Sequence, residues 1–343
     1  MGAVLVVNAG STSLKLSLVA DDETTGRVSS LGSVAATDLD AVAHRVVHGG
    51  PHFTGPVVID ESVRQTIHKL EDLAPLHNAP ALRGIEEATS VHPDVPHVAV
   101  FDTAFHATIP PESATYAIPR AWREEWGIRR FGFHGLSVQW ATERVKAARL
   151  VVCHLGGGCS VTAVRDGRSA DTTMGFTPLE GVPMSTRAGS IDPGALLYLL
   201  RASDLDLESI DHMLNFASGL VGLAGSGDMS EIEKGVRSGD EQAALALEVF
   251  GYRVAAAVAA MAVAAGGLDA LVFTAGIGER SALARASVCD RLSFLGVVLT
   301  PEANRSARED AEIAAPESRV RVTVIEARED LIAARAAREL LAD

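Results

Sequence analysis

The chain has 343 residues, of which 47% are apolar, 22% charged and 5% aromatic. This length exceeds what one hydrophobic core usually holds, so two domains are expected. The formal net charge of −14 argues against a nucleic-acid or anionic-membrane surface, because both reward an excess of lysine and arginine. Any anionic ligand must therefore be held by local dipoles and a few well-placed cations.

The cysteines and the apolar stretches indicate the cellular compartment. Cys153, Cys159 and Cys289 fit neither a disulfide framework nor a zinc template, and we expect three buried thiols in a reducing compartment. No basic segment followed by an apolar one opens the sequence, so no signal peptide is expected. The longest apolar stretch, at 254–268, is Ala-rich and short for a bilayer, which favours a buried helix. We expect a soluble cytoplasmic protein.

The first motif is an apolar run interrupted by polar residues, VLVVNAGSTSLKLSLV at 4–19. The pattern predicts a strand, a Gly/Ser-rich tip and a second strand. Hydroxyls, backbone N–H groups and a glycine that permits close approach suit phosphate oxygens, although such turns also occur without a ligand. The side chains that suit a phosphate here are Asn8, Ser11, Thr12, Ser13 and Lys15.

The next strands end at charged residues. AHRVVHGG at 43–50 is a short strand with Arg45, and VPHVAVFDTAF at 95–105 is a buried strand that ends at Asp102. Ligand sites of α/β sheets lie at such strand ends. Arg45 suits phosphoryl oxygens or a structural salt bridge, and Asp102 suits a functional carboxylate or a helix N-cap. His134, in RFGFHGLS, is compatible with a packed core residue as well as with a functional one.

The second half begins like the first. A strand–turn–strand pattern at 150–169 has Gly156, Gly157 and Gly158 at its tip, and a strand–glycine turn–helix pattern follows at 270–286. Two Gly/Ser-tipped hairpins indicate a structural duplication. The phosphate-binding pattern G-x-x-x-x-G-K-[ST] is absent, so this is not a P-loop protein.

Helical patterns fill 195–215 and 240–266, and an amphipathic helix at 329–341 begins with Glu329. We place the first domain at 1–148 and a second domain at 149–311, to which the family resemblance described next assigns the nucleotide. The C-terminal segment, about 312–343, is expected to pack back on the first domain.

Taken together, these motifs resemble those of the acetate kinases, the acetokinase family of the acetate and sugar kinase/Hsc70/actin superfamily. The similar segments follow the family order from residue 3 to about residue 335: VLVVNAGSTSLKLSL, HRVVHGG, APLHNAPAL, VFDTAFHATIP, FGFHGLS, HLGGGCSVTAVRDGRSADTTMGFTPLEGVPMSTRAGSIDPG, SGLVGLAGSGDMSEI and VFTAGIGERSALAR. The resemblance implies two duplicated ribonuclease-H-like (actin-like ATPase) α/β domains around a central cleft. It also implies reversible, direct in-line phosphoryl transfer from ATP to acetate, giving acetyl phosphate and ADP. The implied metal is Mg²⁺, with Mn²⁺ as an alternative, and the implied assembly is a homodimer.

The resemblance implies a role for each matching residue. Catalysis falls to Arg45, Asp102, His134 and Arg187. Contacts with the acyl substrate fall to Val47, Leu76, His77, Phe133 and Pro178. Nucleotide and phosphate contacts fall to Asn8, Ser11, Ser13, Lys15, His154, Gly156, Gly157, Gly158, Asp228, Gly276, Ile277 and Arg280. The metal falls to Asn8 and Glu329.

Elementary chemistry agrees with these roles. An acetate carboxylate is ionised at neutral pH, so the nucleophile needs no general base. Alignment and charge neutralisation remain as the tasks of the protein, and arginines, His134 and a metal ion suit them. Asp102 then suits orientation or the metal shell better than proton transfer. One methylene in the acyl chain changes specificity by about 1–3 kcal/mol, so propionate is expected to be a weaker substrate.

Three positions depart from the family pattern on the nucleotide side. Gly157 and Arg280 stand where the family has asparagine, and Ser230 stands where it usually has arginine. Smaller departures are Ser190, Leu136, Val138 and a short segment at 20–42. Two alternatives to an ordinary acetate kinase follow. One is an acyl kinase that uses another donor (another nucleoside triphosphate, pyrophosphate or polyphosphate) or prefers propionate. The other is a catalytically silent regulatory homologue, against which the retained catalytic positions weigh.

Overall fold

A computed structural model describes residues 2–9, 14–71, 75–308 and 310–342, and of residues 75–77 only the backbone. Contacts divide the chain into two compact units. Unit 1 comprises Met1–Thr108, Phe131–Trp140 and Arg328–Asp343, and unit 2 comprises Ile109–Arg130 and Ala141–Ala327. Each unit contains one mixed sheet with helices packed against it.

The two sheets repeat one topology. The described strands of unit 1 are β1 Ala3–Ala9, β2 Leu14–Ala20, β3 Glu23–Val28, β4 Leu39–Val46, β5 Val57–Val58 and β6 His97–Phe101. Those of unit 2 are β7 Arg149–Leu155, β8 Cys159–Arg165, β9 Arg168–Thr172, β10 Ala270–Thr274, β11 Ala311–Glu312 and β12 Arg321–Val324. Their spatial orders are β3-β2-β1-β4-β6-β5 and β9-β8-β7-β10-β12-β11.

Strand direction repeats as well. β1, β4 and β6 are parallel, as are β7, β10 and β12, and the outer strands of each sheet run antiparallel to their neighbours. The matching order and direction confirm the predicted duplicated α/β fold.

Helices cover the sheets. In chain order the described α-helices are α1 Glu61–Lys69, α2 Pro75–Val91, α3 Pro111–Ala114, α4 Arg120–Trp126, α5 Gly135–Arg144, α6 Pro193–Ala202, α7 Leu207–Phe216, α8 Gly219–Ala224, α9 Met229–Ser238, α10 Glu241–Ala265, α11 Ala275–Arg280, α12 Ala282–Asp290, α13 Pro301–Ser306 and α14 Glu329–Ala342. The pattern predicted at 195–215 is two helices, α6 and α7, because Asp206 accepts the Ser209 N–H at 2.8 Å and starts a new helix.

The boundaries of the two units differ from the domain boundaries at residues 148 and 311 that we expected from the sequence. Residues 109–130 and 141–148 group with unit 2, and β12 pairs with β10 in the unit 2 sheet. Only the last segment, from Arg328 onwards, groups with unit 1, where α14 packs on β1 and β4. The apolar face of α14, which includes Leu331 and Ile332, is buried and accounts for this packing.

The long apolar helix α10 packs on β7 and β8. Asp240 caps its start by accepting the N–H groups of Gln242 and Ala243 at 2.8 and 3.2 Å, and Gly266 ends it with φ of 77°. Its 25 residues suffice by length and composition to cross a membrane, although half of its most apolar window is buried in the protein. The core helix of a soluble protein passes the same test, so α10 is weak grounds for a membrane span.

Two further predictions meet the structure in unit 2. Cys153, Cys159 and Cys289 are buried free thiols, as expected, and burial raises the pKa of each. The glycine turn predicted after β10 is absent, because the strand passes directly into α11. The residue with the left-handed backbone is Ala275, with φ of 63°, rather than a glycine.

Candidate active site

Three neighbouring strands of unit 1 end at polar side chains. Asn8 on β1 is in register with Arg45 on β4, and Arg45 is in register with Val100 on β6, two residues before Asp102. Because the three strands are parallel, these side chains share the carboxyl edge of the sheet, where α/β proteins hold ligands.

The Arg45 guanidinium binds two carboxylates at once. Its Nε and Nη2 donate to Oδ1 and Oδ2 of Asp102 at 3.0 and 2.6 Å, and its Nη1 donates to Oε2 of Glu329 at 2.6 Å. The side chain of Asp102 is 1% exposed, and those of Arg45 and Glu329 are 16% and 17% exposed. Glu329 reaches this point because it is the first residue of α14. The bidentate pair with Asp102 fixes the plane of the guanidinium.

The pairing also sets the charge of Arg45. Burial alone would lower the pKa of the guanidinium, but the Coulombic attraction of Asp102 and Glu329 outweighs it and raises the pKa above its usual value. Arg45 therefore stays a cation. Both oxygens of Asp102 accept from Arg45, which supports an orienting role for this carboxylate over that of a base.

His134 stands at a strained turn that enters α5. Its φ is 60°, a left-handed value that non-glycine residues seldom adopt. The next residue, Gly135, donates its N–H to the Asp102 carbonyl at 3.0 Å, and a Cβ at this position would lie 2.0 Å from that oxygen. Only glycine fits there, so the turn that carries His134 is tied to the residue that holds Arg45.

His106 is a buried residue that the sequence analysis missed. Its Nε2 lies 2.9 Å from the carbonyl oxygen of Phe133, just before His134. Burial lowers the pKa of His106 to about 4, so the ring is neutral at pH 7 and Nε2 carries the donated proton. The only signal was a histidine within VFDTAFHATIP, and nothing in that segment distinguishes it from a surface histidine.

The predicted acyl-contact residues fall in both units. Phe133 is buried in unit 1, with its ring centroid 5.2 Å from that of His48, the neighbour of Val47. Pro178 lies in unit 2. The side chains of Leu76 and His77 lie outside the described residues, as do Ser11 and Ser13.

Arg187 lies on a loop of unit 2 whose conformation depends on a glycine. Its Nη1 donates to the Pro178 carbonyl at 3.1 Å, and its own carbonyl accepts the Met184 N–H at 3.1 Å. Gly219 has φ of 59°, and a Cβ there would lie 2.1 Å from the Met184 oxygen and 2.6 Å from the Arg187 oxygen. The loop therefore requires glycine at 219. Burial lowers the pKa of Arg187 below its usual value.

Six predicted nucleotide residues line one cavity of about 280 Å³ in unit 2. They are Gly156, Gly157, Asp228, Gly276, Ile277 and Arg280. The cavity lies between the tip of the β7–β8 hairpin, the start of α9 and the start of α11. His154, on β7, is buried near the same hairpin, and Lys15 lies on β2 of unit 1.

The three departures from the family pattern all line this cavity. A Cβ at Gly157 would meet no atom within 4 Å, so the place of an asparagine side chain is open. Nη2 of Arg280 lies 2.7 Å from where a Cβ of Gly276 would be. Ser230 donates its N–H to Oδ1 of Asp228 at 2.8 Å, so Asp228 is the N-cap of α9, and this bond lowers its pKa.

A metal site was predicted at Asn8 and Glu329. Among the described residues, no group of three or more His, Cys, Asp or Glu side chains is placed to hold a metal. Asn8 Oδ1 and Glu329 Oε2 nevertheless lie 3.5 and 2.6 Å from the same atom, Nη1 of Arg45. One carboxylate and one amide oxygen suit Mg²⁺, which keeps waters and takes further ligands from substrate phosphates. These residues fit a metal ion that arrives with a nucleotide.

Comparison with known proteins gives one consistent result. The family model described as "Acetokinase family" matches residues 32–335. The acetate kinase of Nostoc punctiforme is 48% identical over 303 residues, which cover 86% of this chain and 75% of that protein. A propionate kinase from Francisella tularensis has a TM-score of 0.91 at 35% identity, covering 98% of this chain and 99% of that one. Porphyromonas gingivalis acetate kinase has a TM-score of 0.91 at 32% identity, covering 99% and 100%.

Proposed function

The chain belongs to the acetokinase family, and on that premise we propose how its residues catalyse reversible phosphoryl transfer between ATP and acetate. The observation that carries the proposal is the buried Arg45–Asp102 pair at the edge of the unit 1 sheet. A permanently charged, rigidly oriented guanidinium suits the equatorial oxygens of a phosphoryl group in transfer.

The acetate carboxylate attacks the terminal phosphorus of ATP in line with the departing ADP oxygen. Arg45 and Arg187 neutralise charge on the equatorial oxygens, and His134 donates a hydrogen bond to one of them. Asp102 keeps the Arg45 guanidinium in place and takes no proton, because an ionised nucleophile has none to give. These are tasks of positioning and charge, which suffice for phosphoryl transfer.

For the metal we propose Mg²⁺, with Mn²⁺ as a substitute, held by Asn8 and Glu329. When bound, the ion neutralises negative charge on the phosphate oxygens of the nucleotide. Glu329 pairs with Arg45 at the carboxyl edge of the unit 1 sheet, which supports a place for it among the ligands of the metal. Ser11, Ser13 and Lys15 follow Asn8 in the chain and are proposed as phosphate ligands, with His154 and Gly158 on the β7–β8 hairpin.

Acetate is the proposed preferred acyl substrate, with propionate weaker. Val47, Leu76, Phe133 and Pro178 are the proposed contacts of the methyl group, and His77 a contact of the phosphoryl group. All four methyl contacts are apolar and of medium to large size, and one added methylene changes binding by only about 1–3 kcal/mol. A structural neighbour of this chain is named as a propionate kinase, so the preference has to be measured.

The donor we propose is ATP, bound in the unit 2 cavity through glycine backbone, Asp228 and Ile277. A second candidate is another nucleoside triphosphate, pyrophosphate or polyphosphate. The observation that favours it is the cation Arg280, which lines the cavity and whose positive charge helps to lower the pKa of Asp228.

We propose that the enzyme is a cytoplasmic homodimer. The α6 helix exposes four consecutive apolar residues at 197–200, and α10 exposes Tyr252 and Val263 at 60% and 82%. Apolar surface of this kind marks protein interfaces, and two-fold homodimers are the commonest assembly. Light scattering after gel filtration should show a dimer for the parent and a monomer for Tyr198→Asp. Val58→Glu, at an exposed valine of unit 1, should remain dimeric, and equal behaviour of both variants would reject this interface.

Acyl-phosphate formation, trapped with hydroxylamine, tests the function. Acetate and propionate are each supplied with Mg²⁺ and ATP, GTP, pyrophosphate or polyphosphate. Strong activity with acetate and ATP is expected. Activity with another donor alone would favour the second candidate, and a folded protein that is inactive with every donor would be a silent homologue.

A further inference from the structure

Asn78 connects two segments of unit 1 that carry proposed substrate contacts. It is fully buried in the first turn of α2, directly after Leu76 and His77. Its amide nitrogen donates to the carbonyl oxygen of His48 at 3.1 Å, and its amide oxygen accepts the N–H of His48 at 3.1 Å. One side chain therefore satisfies both backbone groups of the residue that follows Val47.

These two bonds supply partners for backbone groups just after the end of β4, where no neighbouring strand among the described residues provides them. The β4–β6 ladder stops at Val46, beyond which the backbone turns away from the sheet. The next N–H groups go to side chains: that of Gly49 to Thr103 Oγ1 at 3.0 Å, and that of Gly50 to His48 Nδ1 at 2.9 Å. Because buried backbone groups need partners, Asn78 and Thr103 define the path of residues 48–50.

The same residues hold a third proposed contact. The His48 ring packs edge-on against Phe131 and Phe133, with centroids 4.7 and 5.2 Å apart. The Gly50 N–H fixes the orientation of that ring through Nδ1. A movement of His48 therefore displaces Val47, the residue before it, and Phe133, against which its ring packs. Leu76 lies two residues before Asn78 in the same helix.

We propose that Asn78 is a positioning residue that sets the shape of the acyl pocket. It touches no substrate; through His48 it sets the positions of two proposed methyl contacts, Val47 and Phe133, and it lies two residues after a third, Leu76, in the same helix. The inference rests on the proposed function, since it needs an acyl substrate at these residues. A displacement of about 1 Å at a reacting substrate costs on the order of 100-fold, so loss of Asn78 should weaken use of acetate strongly.

Steady-state kinetics of Asn78→Ala, Asn78→Asp and Asn78→Ser test the proposal. Asn78→Ala should lower kcat/KM for acetate about 10- to 100-fold, through a lower kcat and a higher KM for acetate, with the KM for the nucleotide unchanged. The ratio of propionate to acetate use should rise, because a displaced wall discriminates less. Asn78→Asp keeps the acceptor for the His48 N–H but sets a buried carboxylate oxygen against the His48 carbonyl, so a loss at least as large as that of alanine is expected. Asn78→Ser keeps a hydroxyl and adds no charge, so an intermediate loss is expected, and it carries the test if the alanine variant does not fold.

Asn304 offers a matched control in unit 2. It is also a buried asparagine with a bonded amide, accepting from Arg285 Nε at 2.7 Å and donating to the Ala282 carbonyl at 2.8 Å. Asn304→Ala should lower the melting temperature without changing the KM for acetate. If the folded Asn78 variants also lose only melting temperature, Asn78 is merely structural and the proposal fails. A parent enzyme that is inactive with every donor would instead reject the proposed function, and this inference with it.

Discussion

The two units organise their functional residues in opposite ways. In unit 1 the charged side chain of Arg45 pairs with both Asp102 and Glu329, and all three side chains are mostly buried. In unit 2 four glycines contribute to the wall of the predicted nucleotide cavity, and Asp228 and Arg280 are exposed at its edge. Paired buried charges tolerate little substitution, whereas an open glycine-lined wall tolerates much. All three departures on the nucleotide side fall on the second kind of surface.

Removing a charge from the unit 1 cluster should have the largest effect. Arg45→Ala leaves the buried Asp102 carboxylate without its bidentate partner. Turnover should fall about 10²- to 10³-fold, and the free energy of unfolding should fall by about 3–5 kcal/mol. Acyl-phosphate formation and denaturant unfolding measure the two losses separately.

Two further variants separate the loss of turnover from the loss of stability. Arg45→Ala with Asp102→Ala removes both buried charges, so most of the stability should return while turnover stays low. Arg149→Ala removes one side of the exposed bidentate pair with Asp269 and should cost about 1 kcal/mol or less, with turnover unchanged. If Arg45→Ala is no worse than Arg149→Ala, the contrast between buried and open regions is wrong.

Arg187 is the cation of unit 2 that should behave like the unit 1 cluster. Arg187→Ala should lower turnover about 10²- to 10³-fold. Its carbonyl contact with Met184 is made by backbone, so the fold and the circular-dichroism spectrum should be retained. Unchanged turnover in the folded variant would contradict a role in phosphoryl transfer.

The comparison also explains what the sequence could predict. Asn8, Arg45 and Asp102 were predictable because each lies at or just beyond the carboxyl end of an apolar strand, and parallel strands bring these ends to one edge. The repeated hairpins likewise predicted two similar sheets. Gly156 and Gly157 were predicted at a hairpin tip because two apolar runs flank three consecutive glycines, and their role towards the nucleotide was implied by the resemblance to the acetate kinases.

Other features depend on contacts that a single sequence does not contain. The bond from His106 to the Phe133 carbonyl joins residues 27 apart, and that from Asn78 to His48 joins residues 30 apart. The grouping of 109–130 with unit 2 is similarly a matter of packing, because α3 packs against β9. The left-handed backbone of Ala275 was missed because the neighbouring glycine was the obvious candidate.

The buried histidines of unit 1 should make stability depend on pH. Burial, with the nearby His97, lowers the pKa of His44 to about 3, and burial also lowers the pKa of His97 and, to about 4, that of His106. In the unfolded chain these rings titrate near 6.5, so below that pH the unfolded state binds protons that the folded state does not. Stability is thus fully present above pH 6.5 and is lost as pH falls towards 3–4, by about 1.4 kcal/mol per pH unit for each such histidine.

Replacing one of these rings should flatten the pH dependence. His44→Gln keeps a donor towards His97 Nδ1, which lies 2.9 Å from His44 Nε2, but it removes one titrating group. The free energy of unfolding between pH 7.5 and 5 should then fall less steeply than in the parent. His68→Gln, at an exposed histidine of α1, should leave the slope as it is. Parallel curves for parent and His44→Gln would show that the buried ring does not carry the effect.

The smallest effect is expected on the open wall of unit 2. Gly157→Asn restores the residue that the family has there, its Cβ would meet nothing within 4 Å, and its backbone lacks a positive φ. Stability should therefore change by no more than about 0.5 kcal/mol. One neutral hydrogen bond contributes about 0.5–1.5 kcal/mol, so the KM for ATP should fall by roughly two- to tenfold. Gly26→Asn, at an equally open glycine of β3, is the control and should leave the KM unchanged.

The outcome of Gly157→Asn separates the two donor candidates because the change adds an amide without disturbing the cavity. A lower KM for ATP would mean that the cavity still holds a nucleotide and has only lost affinity. The other outcome is an unchanged KM for ATP, with a KM for pyrophosphate that is lower in the protein with Arg280 than in Arg280→Asn. That outcome would mean that the cation has taken over donor binding. In that case the open wall of unit 2 has changed its ligand, while the buried charges of unit 1 have kept their chemistry.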